Sequence, residues 1–363
     1  MQLRVYVWLA LAAAAIDAQP SHASDADATV AMSGSAVTAA PVADSPVPAT
    51  AVTGTAAASA AVTGTAATDT AVTGTAATNT AATTAADAAA SQSVSTSSGS
   101  DPDAGPACLL NPTPASQERP FDTDRPTKSN IPYTVPCGHF QYETDIFNYS
   151  YQYVGDDRID TLLVPNPTLK LGVAPDADVE LNIAPYESVV TEELHTGRST
   201  TVSGPGDLYA RFKLNLWGDD HGDTSLALLP YVKAPVAPLG VGNGETEGGL
   251  IVPLSISLPA GLTLLTVPEI DVLKDAQTSA HHANYADLVN LSRSLPLHAN
   301  VTAYLEYWAD ANVDPTGTTH QYSLDASVAW QPHNDLQFDV GINAGLNRAT
   351  PAYQFYLGAA QRF

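Results

Sequence analysis

The chain has 363 residues and a formal net charge of −24, and 14% of its residues are charged. A chain this acidic is a poor nucleic-acid binder, because contacts to phosphate need a basic surface. It also contains no Gly-x-Ser-x-Gly elbow, no phosphate-binding loop and no His-Glu-x-x-His sequence. The sequence therefore predicts a protein that is not an enzyme, that has no cofactor and no bound metal, and that has no nucleic acid as a partner.

The first 23 residues have the pattern of a secretory signal peptide. Arg4 precedes an apolar run over residues 5–16, and small residues follow at Ala18 and Ala23. This order of basic, apolar and small-residue regions is typical of a signal that is cleaved, so we expect cleavage after one of the two alanines. The run is too short for a membrane-spanning helix, which needs roughly 20 apolar residues, and no other run approaches that length.

Residues 24–107 form a low-complexity spacer rich in Ala, Thr and Ser, with no Lys, Arg or aromatic residue. The sequence Ala-Val-Thr-Gly-Thr-Ala-Ala starts at Ala51, Ala61 and Ala71. Such small residues bury too little surface to offset backbone ordering, which costs about 1–2 kcal/mol per residue. We predict a disordered spacer in the periplasm; a structured repeat is the alternative.

Residues 108–136 form a proline-rich lead-in between the spacer and the first strand. So many prolines exclude a central strand, so we predict an extended, irregular segment. Cys108 and Cys137 are the only two cysteines of the chain. Because an exported protein meets oxidising conditions, we expect a Cys108–Cys137 disulfide. No cluster of His or Cys at ligand spacing accompanies them, so metal binding by this pair is not expected.

After the lead-in the sequence is a succession of strand candidates. They cover residues 138–154, 166–174, 178–190, 206–217, 224–236, 248–258, 262–273, 283–294, 301–311, 321–330, 336–346 and 351–363. This pattern predicts an all-β fold, an antiparallel transmembrane β-barrel of about 12 strands over residues 137–363, since single-chain bacterial barrels have an even strand number. Ten strands are the alternative, because Pro165 and Pro167 weaken the second candidate and the apolar face of the eighth changes phase near Leu288.

The last strand candidate alternates clearly between two faces. One face holds Tyr353, Phe355, Leu357, Ala359, Gln361 and Phe363, and the other holds Gln354, Tyr356, Gly358, Ala360 and Arg362. Period-2 alternation places these sets on opposite sides of a strand, and aromatic residues near both ends of the apolar face are typical of a membrane wall. An apolar edge strand of a soluble sheet would promote aggregation, so the membrane wall is favoured.

The predicted connections also favour a membrane barrel. Short turns are expected at residues 175–177, 218–223, 259–261, 295–300 and 331–335, all on the side of the barrel that holds Phe363. The other side includes two long predicted loops, residues 191–205 and 237–247. Outer-membrane barrels have this asymmetry, with short turns in the periplasm and longer loops outside.

Charged residues lie on the face of the strands that is predicted to line the lumen. They are Lys170, Glu180, Arg211, Lys213, Lys233, Glu269, Asp271, Glu306, Asp310, Asp325, Asp339 and Arg362. Facing lipid, an Arg or Lys would cost about 2–4 kcal/mol at the membrane midplane. Inside, charges of both signs can form ion pairs across the lumen, either as filling without a transport role or as part of a solute path. A barrel of about twelve strands is either a narrow pore or a plugged one.

Two stretches of the sequence resemble the transporter family named for the MetA pathway of phenol degradation. The matching residues are Asp124, Arg125, Pro126, Gly138, Phe140, Glu143, Gly206 and Asp207. The resemblance covers about residues 121–363 and implies an outer-membrane barrel that passes aromatic or other hydrophobic compounds. The last strand also resembles the C-terminal strand of bacterial outer-membrane barrels, which implies that Phe363 belongs to the signal read by the barrel-insertion machinery.

Two functions remain open from the sequence. The first is a channel in the bacterial outer membrane, surrounded by its lipid, that passes small hydrophobic or aromatic solutes into the periplasm. The second is a structural or surface-interaction barrel without a transport role. Because the lead-in is proline-rich, family-like and followed directly by the first strand, we expect residues 121–136 to fold into the periplasmic mouth of the barrel.

Overall fold

The structure, a computed structural model, describes residue 109 and residues 111–295 and 298–363. The predicted signal peptide, the spacer and Cys108 lie outside the described residues. No helix among the described residues is long and apolar enough to cross a membrane.

One antiparallel sheet contains the seventeen strands of the described residues. In chain order these are β1 (Phe140–Val154), β2 (Asp157–Leu163), β3 (Asn166–Ala174), β4 (Ala177–Asn182), β5 (Glu187–Glu193), β6 (Arg198–Gly204), β7 (Leu208–Trp217), β8 (Thr224–Ala234), β9 (Glu247–Ile251), β10 (Leu254–Leu258), β11 (Leu262–Thr266), β12 (Glu269–Lys274), β13 (His281–Leu295), β14 (His298–Asp314), β15 (Gly317–His333), β16 (Leu336–Gly345) and β17 (Tyr353–Arg362). A short 3₁₀ turn, Pro259–Gly261, connects β10 to β11.

The sheet closes on itself because its first and last strands pair. β1 lies beside β17, with Gln141 opposite Arg362 and Tyr151 opposite Tyr353. Five passes through the wall consist of two strands each, namely β2 with β3, β4 with β5, β6 with β7, β9 with β10, and β11 with β12. The seventeen strands therefore make a closed barrel of twelve passes. This confirms the predicted fold class and excludes the ten-strand alternative.

A proline lies in the gap of every interrupted pass. The five residues are Pro165, Pro185, Pro205, Pro253 and Pro268. Proline has no N–H group to donate to the ladder, so the regular hydrogen bonding of the strand stops at each of these positions. The wall stays continuous, since the strands beside each gap keep their neighbours; β2, for example, pairs with both β1 and β5.

The prediction of a long loop at residues 191–205 is wrong, because most of this range belongs to two paired strands. β5 continues to Glu193, β6 begins at Arg198, and the two strands pair residue by residue from Glu187 opposite Gly204 outward. The sequence of β6 is mostly Ser and Thr and lacks apolar alternation, which is why the period-2 pattern does not reveal it. The second pass is also longer than predicted, because β2 begins directly after a turn at Gly155 and Asp156. The loop between β8 and β9 is long, as expected.

The outer surface of the barrel is apolar and has aromatic residues near both ends. At the end that holds Phe363, the Phe363 ring lies 6.0 Å from that of Phe140. At the opposite end, the Tyr353 ring lies 6.1 Å from that of Tyr151. Between them, side chains such as Leu357 are exposed, as expected of a wall that faces lipid.

Candidate functional site

The interior of the barrel contains a segment of the chain itself. Residues 119–136, which we call the lumenal segment, precede β1 and make contacts with inner-face side chains from opposite parts of the wall. Arg125 contacts Asp339 on β16, and Lys128 contacts Asp325 on β15. The Pro132 carbonyl accepts a hydrogen bond of 2.8 Å from Asn215 on β7. The segment therefore crosses the lumen from one wall to the other.

Asp124 forms the contact of the lumenal segment with the basic part of the wall. Its carboxylate pairs with Lys170 on β3 and, at 3.2 Å, with Lys213 on β7. It also accepts a 2.7 Å hydrogen bond from the Ile131 N–H, which folds the segment back on itself. Burial opposes ionisation, but the two ammonium groups outweigh it and hold the pKa of Asp124 well below its usual value.

Arg125 forms the opposite contact, with acidic groups. Its Nε and Nη2 atoms donate to the two carboxylate oxygens of Asp339 at 3.1 and 2.6 Å, and its Nη1 atom donates to Asp145 at 2.5 Å. Its backbone N–H lies 3.3 Å from Glu143. Although burial opposes the charge, the two carboxylates raise the pKa of Arg125 above its usual value. The bidentate pair with Asp339 fixes the orientation of the Arg125 side chain as well as balancing its charge.

Lys128 attaches the middle of the segment to β14 and β15. Its Nζ atom lies 2.9 Å from Asp325 and donates to Ser323 at 2.6 Å. The same ammonium group lies over the Trp308 ring, 4.7 Å from its centroid. The backbone N–H groups of Lys128 and Ser129 donate to the two oxygens of Glu306 at 3.0 and 3.3 Å. A buried acid on the wall thus satisfies backbone donors of the segment.

One part of the inner wall is apolar. The buried residues of this inner apolar cluster are Leu229, Tyr231, Ile251, Leu265, Val267 and Leu288. Ile131 of the lumenal segment and Trp308 of β14 pack against it. Leu288 lies on the same inward face as Asn284 and Asn290, so β13 does not change phase there. The apparent change of phase in the sequence arises because this inward-facing residue is apolar and belongs to the cluster.

All twelve charged residues that the sequence placed on the lumen face have inward-facing side chains. Eleven of them are buried and Glu269 is half-buried. Six contact the lumenal segment, namely Lys170, Lys213, Glu306, Asp325, Asp339 and Arg362. Of the others, Lys233 pairs with Glu247 at the mouth of β8 and β9, Asp271 accepts from Tyr231, and Asp310 accepts from Asn284.

Sequence reasoning missed two acidic residues on the strands of the wall that hold the lumenal segment. Asp145 was missed because a β-bulge between Asp145 and Phe147 shifts the phase of β1, so that a single alternation does not fit the whole strand. Asp178 accepts the Val135 N–H at 2.9 Å. It stands at the start of its pass, and the inward alternation of Asp178, Glu180 and Asn182 in β4 could have revealed it.

At the end of the barrel that holds Phe363, the lumenal segment rests on the turn between β7 and β8. The Nε2 atom of His221 lies 2.9 Å from the carboxylate of Asp122, and the His221 ring stacks on Tyr133 at 4.2 Å. Asp219, in the same turn, accepts the Thr134 N–H at 2.8 Å. The hydrogen bond to Asp122 raises the pKa of His221 above its usual value, against the effect of burial.

At the opposite rim, Asp275, His282 and Asp314 place their ligand atoms within 4.8 Å of one another. His281 and His282 are the first two residues of β13. The Nδ1 atom of His282 lies 3.0 Å from Asp275 and 3.6 Å from Asp314, and its Nε2 atom lies 2.7 Å from Asn312.

The model of one protein family matches residues 123–363, which covers the lumenal segment and the whole barrel. Its description reads "Putative MetA-pathway of phenol degradation". The chain belongs to this family. No curated protein sequence matches the chain.

The chain is similar to several solved structures, and the first of them shows that it has the fold of an outer-membrane channel. An outer membrane channel from Pseudomonas putida F1 is 12% identical, with 66% of this chain and 100% of that chain covered and a TM-score of 0.52. The translocator domain of the autotransporter NalP from Neisseria meningitidis is 13% identical, with 62% and 88% covered and a TM-score of 0.40. The CymD monoaromatic hydrocarbon channel is 9% identical, with 62% and 87% covered and a TM-score of 0.36.

The residues that carry the family resemblance have distinct places in the structure. Asp124, Arg125 and the buried Pro126 lie in the lumenal segment. The Glu143 carboxylate accepts hydrogen bonds from the backbone N–H groups of Asp124 and Arg125. It also pairs with the Lys170 ammonium group at 2.7 Å.

The other four family residues lie in the wall or at its edges. Gly138 has a φ of 82° and packs closely on Pro112, so a side chain would not fit there. Gly206 donates its N–H to Ala184 at 2.8 Å, and Asp207 accepts from the Ala237 N–H at 3.0 Å. Phe140 faces outward, next to Phe363.

Proposed function

We propose that the protein is a channel of the bacterial outer membrane that passes small aromatic solutes into the periplasm, and that the lumenal segment closes it at rest. The observation that carries this proposal is the two-sided lumen. An apolar wall with Trp308 and Tyr231 adjoins a network of charged groups, and the lumenal segment contacts both, through Ile131 and Lys128. Such a lumen suits a solute with an apolar ring and a polar substituent.

Passage requires the lumenal segment to move, since it occupies the space between the two walls. Its ion pairs with Asp339, Asp325 and Lys170 are buried, so the segment stays in place unless these pairs are broken together. Once it moves, the aromatic and aliphatic side chains that Ile131 covers become available to a solute, and the wall charges line the other side.

The proposal also includes the orientation and the preceding residues. We place the end that holds Phe363 in the periplasm, with the signal peptide removed and the spacer of residues 24–107 on the same side. Cys137 is buried beside Gly172, where a disulfide to Cys108 would fix the start of the lead-in. Reaction of both cysteines with a thiol reagent before any reduction would exclude this disulfide.

Solute flux into liposomes that contain the refolded full-length protein tests the proposed function. Phenol and benzoate should enter faster than arabinose, a neutral sugar of similar size, because only the aromatic solutes match both walls. Equal rates for all solutes would make the protein a general porin. No passage of any solute through protein whose folding is shown by heat-modifiable mobility would leave the structural barrel as the function.

A further inference from the structure

A cavity of about 80 Å³ lies between the lumenal segment and the wall formed by β1, β3, β4 and β7. Every side chain that lines it is polar or charged. On the scale of about 10–15 Å³ for each water-sized group, the cavity holds roughly five to eight such groups. It can therefore accept the polar part of a small organic molecule without any change of the wall.

Three of the four basic side chains that line the cavity have close acidic partners. Arg125 lies 2.5 Å from Asp145, Lys128 lies 2.9 Å from Asp325, and Lys170 lies 2.7 Å from Glu143. These acids and Asp124 are thus neutralised by the protein itself. The cavity needs no cation from outside to balance them.

Arg211 is the fourth basic side chain, and its guanidinium group makes no hydrogen bond within the described residues. Its exposed fraction is 9%, and its Nε atom is buried without a partner. The nearest carboxylate, that of Glu180, lies 3.6 Å from Nη1, which is beyond hydrogen-bond distance. Glu180 is also shared with Lys213 at 3.1 Å. Arg211 thus has an ion pair without hydrogen-bond geometry and a buried Nε–H without an acceptor, so an anion in the cavity would stabilise its guanidinium group.

A second donor lines the same cavity. The Thr168 hydroxyl accepts a hydrogen bond of 3.1 Å from Asn182, so its own hydrogen is available to a ligand in the cavity. The Tyr209 ring lies beside the guanidinium on β7, with its centroid 5.9 Å from Cζ of Arg211. The planar fork of the guanidinium matches the two oxygens of a carboxylate.

We propose that Arg211 and this cavity form a binding site for the carboxylate group of a small organic acid. The site would select, among aromatic solutes, those that carry an ionised carboxyl group. This inference deepens the channel proposal and rests on it for its biological role, but binding itself can be measured without transport.

Isothermal titration of the full-length protein in detergent micelles tests the site. The probes are benzoate and its neutral isostere benzamide, at low salt. Benzoate should bind and benzamide should not, because only benzoate supplies an anion for Arg211. Arg211→Gln should weaken benzoate binding at least about tenfold, which corresponds to the loss of 1.4 kcal/mol. Arg211→Lys, which keeps the charge without the fork, should have an intermediate affinity.

Arg293→Gln is the matched control, since Arg293 is exposed on β13 away from the cavity, and its affinity should equal that of the natural chain. Arg211→Gln removes no hydrogen bond and should fold, as heat-modifiable mobility will show. Equal binding of benzoate and benzamide, or unchanged affinity in Arg211→Gln, would overturn the proposal. Binding without flux in liposomes would contradict the channel alone, and flux without benzoate binding would contradict the anion site alone.

Discussion

Arg125 contacts both Asp145 and Asp339 because Gly358, which lies between them on β17, has no side chain. A Cβ atom at Gly358 would overlap the guanidinium group, which lies directly on the backbone of this strand. The strand conformation itself does not require glycine there, since its φ is not positive. Gly358 is therefore a position where the wall is shaped to accept the lumenal segment.

Gly358→Ala should displace the Arg125 guanidinium and weaken its pairs with Asp339 and Asp145. We expect a loss of about 1–3 kcal/mol in the free energy that holds the segment, because a buried charged hydrogen bond is lost. Cleavage of the lumenal segment by a protease should become faster in the variant. Gly222→Ala is the control, since its Cβ atom would meet only an ordinary contact at 3.6 Å. Equal cleavage rates in both variants would contradict this role of Gly358.

The contact between His221 and Asp122 should make the free energy that keeps the lumenal segment in place depend on pH. The pKa of His221 is raised in the folded protein, so its contribution is fully present below the unfolded pKa of about 6.5 and is lost as pH rises through the folded value. Protection from hydrogen exchange near Tyr133, measured relative to the intrinsic exchange rate at each pH, should therefore be lower at about pH 8.5 than at about pH 6. His221→Gln should remove this dependence, whereas His195→Gln, at an exposed loop position, should keep it. The same pH dependence in both variants would exclude His221 as its source.

At the scale of elements, strands were easier to predict than the segment inside them. Period-2 alternation predicted a strand candidate in each of the twelve passes, because most outer faces are apolar over much of their length. β6 was missed because its Ser and Thr residues do not alternate, although Pro205, in the gap after it, marks an interrupted pass. The path of the lumenal segment could not be predicted, since its partners are distant in sequence: Asp124 and Lys213 are 89 residues apart, and Arg125 and Asp339 are 214 apart.

Ile131 is the point where the lumenal segment covers the inner apolar cluster. Ile131→Ala should remove part of this contact and weaken the attachment of the segment by about 2 kcal/mol or more, as large-to-small changes in a core do. The flux of phenol into liposomes should rise. Val236→Ala, a similar truncation at a position that is 48% exposed, should leave the flux unchanged. A flux that rises equally in both variants, or in neither, would contradict the role of Ile131 as a cover.

For the whole molecule, the net charge is strongly negative, but acidic and basic side chains are paired inside the barrel. The net charge of the chain is −24, yet inside the barrel Lys170 pairs with Glu143 on the neighbouring strand, and Arg125 of the lumenal segment pairs with Asp339. The sequence could show which charges face inward, because a charge on the lipid side is costly. It could not show that Arg211 lacks a hydrogen-bond partner, since this depends on where the segment and the surrounding strands place every other group.

The central claim is that the lumenal segment closes a channel. The most direct test is the conductance of the full-length protein in a planar lipid bilayer, compared with the variant Arg125→Gln/Lys128→Gln. The natural chain should show rare, small openings, and the variant should show larger and longer ones, because both changes remove ion pairs that hold the segment. Arg293→Gln/Lys274→Gln, which changes the same residue types outside the lumenal segment, should behave like the natural chain. Unchanged conductance in a folded Arg125→Gln/Lys128→Gln variant would contradict the claim.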